Sequence, residues 1–240
     1  RLLQNRTADQ IFIEPKKPKV FQIDWLETEL PENSKHISDI TPDDLRSPDS
    51  YYTSIEHIVD RKLDYWNDWY YSPTLQFRSR IVLPFRYKDK VVGYIARWTK
   101  EDRKTDTPKY IVSKPQNFIF NLDNQKNNQY IILTEGPLDA IVTGGIALNG
   151  TSLSEEQAKI INGLRKKIIV LPDFDAAGNA LVDIAVEQGW DVAFPDWAED
   201  CEDANEAMLK YGRFFTVENV LDNIVTGSTK AKLLARKYCR

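Results

Sequence analysis

Two short runs, Tyr-Ile-Ile-Leu-Thr at 130–134 and Lys-Ile-Ile-Val-Leu at 167–171, carry apolar side chains on successive residues with no polar alternation. A strand tolerates that pattern only when both of its faces are buried, as in a parallel sheet covered by helices. What surrounds the runs agrees with this. Helical spacing is predicted over 138–143 and 177–188, the latter ended by Gly189, and over 203–211, ended by Gly212. Ser154-Glu-Glu-Gln157 has the spacing of a capping box and opens a helix through 164. A last short helix is expected at 217–224, and further strands at 146–149 and 191–194. Strands and helices alternating through short loops predict an α/β fold with a doubly wound parallel sheet.

In open α/β sheets, ligands bind beyond the carboxyl ends of the strands. Glu135 directly follows the first run, Asp173 and Asp175 follow the second, and Asp203 lies in the acidic loop 196–203 after the strand at 191–194. Carboxylates delivered to one edge repel one another unless a cation sits among them. Oxygen ligands without histidine or thiol select Mg2+ or Mn2+. Such a site suits the joining or breaking of phosphodiester bonds. Gly136 and Gly178 let backbone come close, and the helix start at Gly178 suits phosphate. Taken singly, Asp173 or Asp175 reads equally as the N-cap of the next helix. Asp139 reads as a surface residue of the first helical turn or as one that orients a loop. Acids at three strand ends together favour the site.

The first half follows other rules. Residues 1–50 are rich in Pro, Asp and Ser and read as a linker with short ordered pieces, Thr41-Pro-Asp-Asp44 capping a brief helix. One amphipathic helix is expected over 51–63. The aromatics Tyr65, Trp66, Trp69, Tyr70 and Tyr71 could stack on bases, although such clusters more often seal a core. The runs 80–86 and 90–97 around Tyr87-Lys-Asp89 predict a β-hairpin within a small mixed sheet, with 110–112 and 117–121 as further short strands. Charge divides along the same line. From 76 to 118 there are eleven Lys/Arg against four Asp/Glu, a net of +7, whereas 130–226 holds six against seventeen, a net of −11. A basic half beside an acidic half suits a protein that grips a polyanion and concentrates cations, although either set also serves to solvate a surface.

Composition removes several classes. With 42% hydrophobic and 28% charged residues the chain is an ordinary globular protein, and no apolar run approaches the roughly 20 residues that span a bilayer. Cys201 and Cys239, with only His36 and His57 besides, supply neither a disulfide framework nor a zinc ribbon, which points to a reducing cytoplasm. The chain begins at Arg1 and its one methionine is Met208, so a piece of a longer polypeptide is expected. The segment from Gly227 onward reads as a tail, the start of a linker or of the next element.

Glu135-Gly-Pro-Leu-Asp139 and Asp173-Phe-Asp-Ala-Ala-Gly178 resemble the two signature motifs of the TOPRIM domain, Glu-Gly-x-x-Asp and Asp-x-Asp-x-Ala-Gly, shared by DnaG-type primases, topoisomerases and several nucleases. The stretch 202–212 is similar to the Lys-Asp-x-Asn-Glu-Ala segment of phage primases, with Glu202 in place of the lysine. The segments 80–86, 92–97 and 108–110 resemble the basic subdomain that precedes TOPRIM in DnaG-type primases. The resemblance covers roughly 51–224 and points to the RNA-polymerase core of a bacteriophage DNA primase. It implies a basic α+β subdomain over 51–128, a TOPRIM catalytic domain over 129–226 and a tail at 227–240.

The resemblance makes Glu135, Asp173 and Asp175 catalytic and places them with Asp203 as the Mg2+ (or Mn2+) ligands, supported by Gly136, Asp139 and Gly178. It assigns contacts with template or nucleotide to Arg97 and Lys109, and Arg80, Arg86, Lys88 and Lys90 join them in holding single-stranded DNA. Ribonucleoside triphosphates are the implied substrates. A replicative helicase and a separate zinc-binding domain are the implied partners, and the setting is the host cytoplasm. A TOPRIM nuclease shares the acids but leaves the basic segment unexplained, and a binding module with a relic metal site is the non-enzymatic alternative.

Overall fold

The computed structural model describes residues 23–45, 47–100, 103–197 and 201–239. The first 22 residues of the linker-like segment lie outside the described residues. So do Glu101 and Asp102 of the basic stretch, and Glu199 and Asp200 of the acidic loop.

The first half is built on a five-stranded sheet in the order β1-β2-β3-β4-β5, formed by β1 (Lys35–His36), β2 (Tyr70–Tyr71), β3 (Arg80–Tyr87), β4 (Lys90–Trp98) and β5 (Tyr110–Ser113). Every pairing is antiparallel, not mixed as expected, because its long strands return through hairpins rather than crossovers. The β3–β4 hairpin runs from Arg80↔Trp98 to Tyr87↔Lys90. Its turn residues Lys88 and Asp89 have φ 50° and 65°, the left-handed pair of a type I′ turn, which matches strand twist. Ile81, Leu83 and Phe85 enter the large core with Ile58 of helix α1 (Pro48–Asp60). Val82 and Ala96, in the opposite phase, pack with Phe77 on the other face.

The second half holds the parallel sheet, ordered β10-β9-β8-β6-β7. Its strands are β6 (Tyr130–Thr134), β7 (Ile146–Ala147), β8 (Lys167–Val170), β9 (Asp191–Ala193) and β10 (Ile224–Val225). The first four run parallel. The fifth departs from expectation: the last helix ends at Asp222, and Ile224–Val225 instead adds an antiparallel edge against Val192 and Ala193. The β-branched pair prefers that extended edge. The helices are α2 (Pro137–Thr143), α3 (Glu155–Gly163), α4 (Gly178–Gln188), α5 (Ala204–Tyr211), α6 (Arg213–Asp222) and α7 (Ser228–Tyr238).

Alternate residues of the apolar runs serve two cores. Ile131, Leu133, Ile168 and Val170 pack with Ile161 of α3, Leu181 of α4 and Ala231 of α7. Ile132 and Ile169 face the other way and join Ile141 of α2 and Met208 of α5 in one cluster with Leu63, Trp69 and Phe85 of the first half. The two halves thus share a core. Trp69 is buried in it with Trp66 packed against it, and Tyr71 is buried against Tyr51, which settles most of the aromatic cluster as packing, while Tyr65 stays exposed.

Of two segments with linker-like composition, the described part of the first holds short ordered pieces and the second is the start of a further element. Trp25 packs against Tyr87 and Phe118 at 4.9 and 5.0 Å, and the Thr28 amide donates to Val91 O, so residues 23–45 cover the hairpin. The stretch from Gly227 is α7, packed on α4 with Ala231, Ala235 and Cys239 buried. Proline and polar content hid the first, whose partners lie more than 60 residues away in sequence. The small apolar face of α7 hid the second.

Candidate active site

Glu135 leaves the end of β6, and Gly136 caps α2 with Pro137 in its first turn. That turn buries Asp139. The Asp139 Oδ1 accepts a hydrogen bond from the Asn205 amide at 3.1 Å. A Cβ on Gly136 would stand 3.2 Å from Asp139 Oδ2, so the small residue leaves the carboxylate its room.

Asp173 follows β8. Gly178 is required by a close approach, since a Cβ there would lie 2.0 Å from the Asp173 carbonyl oxygen. Asp175 closes the turn between them: its Oδ1 accepts from the amides of Ala177 (2.8 Å) and Gly178 (3.0 Å). Asp203 caps α5, accepting from the Glu206 amide at 2.7 Å. The N-cap of α4 is Ala177, so neither Asp173 nor Asp175 is the cap expected there, although Asp175 Oδ1 binds two amides at the helix start; Asp203 is the N-cap of α5.

A cleft of about 480 Å³ gathers these elements. The second half supplies Glu135, Asp139, Asp173 and Asp203 to the cleft lining, and the first half supplies Arg97, Lys109 and Tyr110. Asp175 is not among the lining residues, although its charge reaches Glu135. Burial and mutual repulsion set the ionisation of the acids. Burial, then Asp139, Asp203, Glu135 and Asp175, push Asp173 up to about 9. Burial and Asp203 push Asp139 up to about 7. Burial also raises Glu135 and Asp203. Burial lowers Arg97 and Lys109 in the same cleft, and Arg97 lies over the Tyr110 ring at 5.4 Å with a hydrogen bond to its hydroxyl.

Crowded carboxyls with raised proton affinity, and no sulfur or imidazole among them, form the donor set of a hard divalent cation. In chemical type, Glu135, Asp173, Asp175 and Asp203 fit one. Among the described residues, no group of three or more His, Cys, Asp or Glu side chains already stands in ligating geometry.

The other expected cations are elsewhere. Arg80, only 2% exposed, is not available to DNA: its guanidinium donates to the carbonyls of Ala96, Pro108 and Lys109 and lies over Trp98. Arg86 is held by Asp68 at 2.6 and 3.0 Å and by Tyr70 OH. Lys88 and Lys90 sit at the far tip of the hairpin, roughly 20 Å along the strand from Arg97, where the Lys88 amide bonds Asp123 and Lys90 pairs with Glu27. Burial of Arg80 follows from its strand phase and three carbonyl acceptors, which net charge does not reveal.

Among the cleft residues that sequence reasoning missed are His57, Arg61 and Asn205. His57 and Arg61 come from the end of α1, and Asn205 from the first turn of α5. The signal for Asn205 lay inside the third motif. Arg61 fell outside the stretch in which positive charge is concentrated.

Residues 132–208 match the family model described as Toprim-like. DNA primase of Clostridium acetobutylicum is 33% identical over 58% of this chain and 26% of its own length. That of Halalkalibacterium halodurans is 32% identical over 69% of this chain and 30% of its own length. This chain therefore spans less than a third of either relative. Both relatives are bacterial, which lends no support to a phage origin. In fold, the chain resembles the RNA polymerase domain of Mycobacterium tuberculosis primase DnaG in complex with a double-stranded DNA oligomer bearing a 6-nucleotide overhang (TM-score 0.53, 20% identity, 65% of this chain and 56% of that one). It also resembles a DnaG primase catalytic domain bound to single-stranded DNA (TM-score 0.52, 20% identity, 75% and 61%). The architecture is that of primase catalytic cores with a Toprim-like α/β domain.

Proposed function

We propose that this chain is the RNA-polymerase core of a DNA primase, joining ribonucleotides on a single-stranded DNA template. One observation carries the reading: a single cleft is lined both by Glu135, Asp139, Asp173 and Asp203 and by Arg97 and Lys109. The acids by themselves suit either cleavage or joining of phosphodiesters. Polymerisation also needs cations that hold a polyanionic nucleotide and template against them.

In this reading Glu135, Asp173, Asp175 and Asp203 hold divalent metal, Mg2+ or Mn2+. When bound, the metal neutralises the triphosphate and stabilises charge building at phosphorus. Arg97 and Lys109 bind phosphate oxygens and orient the nucleotide. The primer 3′-hydroxyl forms the new bond to the α-phosphorus as the bond to the bridging oxygen breaks, releasing pyrophosphate. Glu135, half-buried and raised in proton affinity, accepts the hydroxyl proton. Catalysis rests on positioning and charge stabilisation.

The family resemblance supports two partners outside this chain, a replicative helicase and a zinc-binding domain that chooses the start site. Among the described residues, no helix is long and apolar enough to cross a membrane, which suits a replication protein of the cytoplasm.

The test supplies a short RNA annealed to a DNA template, so that initiation is bypassed, with ribonucleotides and Mg2+ or Mn2+. Extension lost by on the order of 10²-fold in Asp173→Asn is expected. DNA breakdown without extension would establish a nuclease instead, and binding with neither activity a non-catalytic module.

A further inference from the structure

Asn205 is 1% exposed and uses its whole amide on one residue of the other half of the molecule. Its Oδ1 accepts from Arg61 Nη1 at 2.6 Å, and its Nδ2 donates to Arg61 O at 3.1 Å. The two roles orient the amide uniquely, because a guanidinium only donates and a carbonyl only accepts. The Asn205 backbone amide meanwhile donates to Asp139 Oδ1 at 3.1 Å. One residue thus locks an acid of the cleft and an arginine of α1 into a fixed relation.

Arg61 lines the same cleft as these acids and cations. Its charge draws Asp139 and Asp203 downward, against the effect of burial, and bears on Arg97, Lys109 and His57. We propose that Asn205 is a positioning residue that aims the Arg61 guanidinium at a phosphate of the nucleotide held in the cleft, an inference that rests on the nucleotidyl-transfer reading above. An arginine fork matches phosphate geometry, and a long side chain gains most when its orientation is set before the ligand arrives. With one Nη engaged by Asn205 Oδ1, Arg61 keeps other N–H groups for the ligand.

The probe is inorganic tripolyphosphate with Mg2+, titrated calorimetrically into the whole chain, alongside steady-state primer extension. Arg61→Met is expected to weaken tripolyphosphate binding about tenfold, and Asn205→Ala by a similar factor. The double variant should lose no more than either single one, because both changes remove one oriented guanidinium. In extension the KM for nucleotide should rise with kcat changed by less than about twofold. Unchanged affinity in Arg61→Met overturns the proposal, as does multiplicative loss in the double variant. A lowered melting temperature with intact affinity in Asn205→Ala would show that Asn205 merely packs. Failure of wild type to bind tripolyphosphate also overturns it. Arg61→Met, at a half-buried position, keeps the test open if Asn205→Ala does not fold. The calorimetric pattern without synthesis on any template refutes the primase reading and leaves the phosphate site. Synthesis without the pattern refutes the phosphate site alone.

Discussion

Arg80 and Lys109 carry the same charge near the same strands, yet the structure assigns them opposite work. The Arg80 guanidinium ties together the carbonyls of Ala96, Pro108 and Lys109, so it holds the segment on which Lys109 is mounted. Lys109 is exposed at the cleft. Arg80→Met should therefore cost about 3 kcal/mol of stability, since three carbonyls lose a charged donor. Lys109→Ala should leave stability within about 0.5 kcal/mol while weakening template or nucleotide use. Denaturant melts and extension assays on the two variants separate these outcomes. An unfolded Lys109→Ala would show that a structural residue had been taken for a contact.

At the scale of elements, the site depends on how a strand end turns into a helix. The passage from β8 to α4 is tight enough that Asp175 Oδ1 takes the amides of Ala177 and Gly178 while Gly178 passes against the Asp173 backbone. Alanine in an open helical position would stabilise by roughly 1 kcal/mol over glycine. Here its Cβ would meet the Asp173 carbonyl oxygen at 2.0 Å, and the strain should reverse the sign, with a net loss of about 1–3 kcal/mol. Gly178→Ala should lower the melting temperature and displace Asp173, reducing extension together with divalent-metal affinity. A stabilised, fully active variant would contradict this account. The same loop leans on α7: Tyr238 packs on Phe174 at 5.0 Å, and Asn179 Nδ2 donates to Cys239 O at 2.8 Å. What lies beyond α5 is therefore part of the site's support.

For the whole molecule, the acidic edge makes stability depend on pH and metal together. Asp173, raised to about 9, and Asp139, raised to about 7, have an ordinary value of 3.8. Between that value and their folded values, the native state holds protons that the unfolded chain has released, so stability falls as pH rises. His57 acts in the opposite sense. Burial, then Arg97, Arg61 and Lys109, lower it from 6.5 to about 4, so its contribution is lost as pH falls through that range. Above pH 7 His57 adds no further change, and Asp173, with the Cys239 thiol that burial pushes up to about 11, favours the fall. The Tm of protein in EDTA should fall between pH 7 and 9. Saturating Mg2+ or the Asp173→Asn change should flatten that fall. A Tm that is level or rises in EDTA over the same range would sink the crowded-acid description.

The α/β character of the second half was legible because burial on both faces writes an unbroken apolar run, and the structure sends alternate residues of that run into two cores. Strand-end placement likewise made Glu135 and Asp173 legible, since a residue that follows a parallel strand must emerge at the ligand edge. Local pattern also marked the capping box at Ser154, observed with both of its bonds. Contacts between distant segments left no such trace. Which cations share the cleft with the acids depended on the phase of β3, which buries Arg80, and on the length of the hairpin, which carries Lys88 and Lys90 away. Trp25 against Phe118, and Asn205 around Arg61, join residues 93 and 144 positions apart. By itself, the sequence determined the sheet and the acids, because periodicity and strand order are local rules. Only the tertiary structure decided the basic part of the cleft lining, because it is assembled from elements whose meeting no local rule encodes.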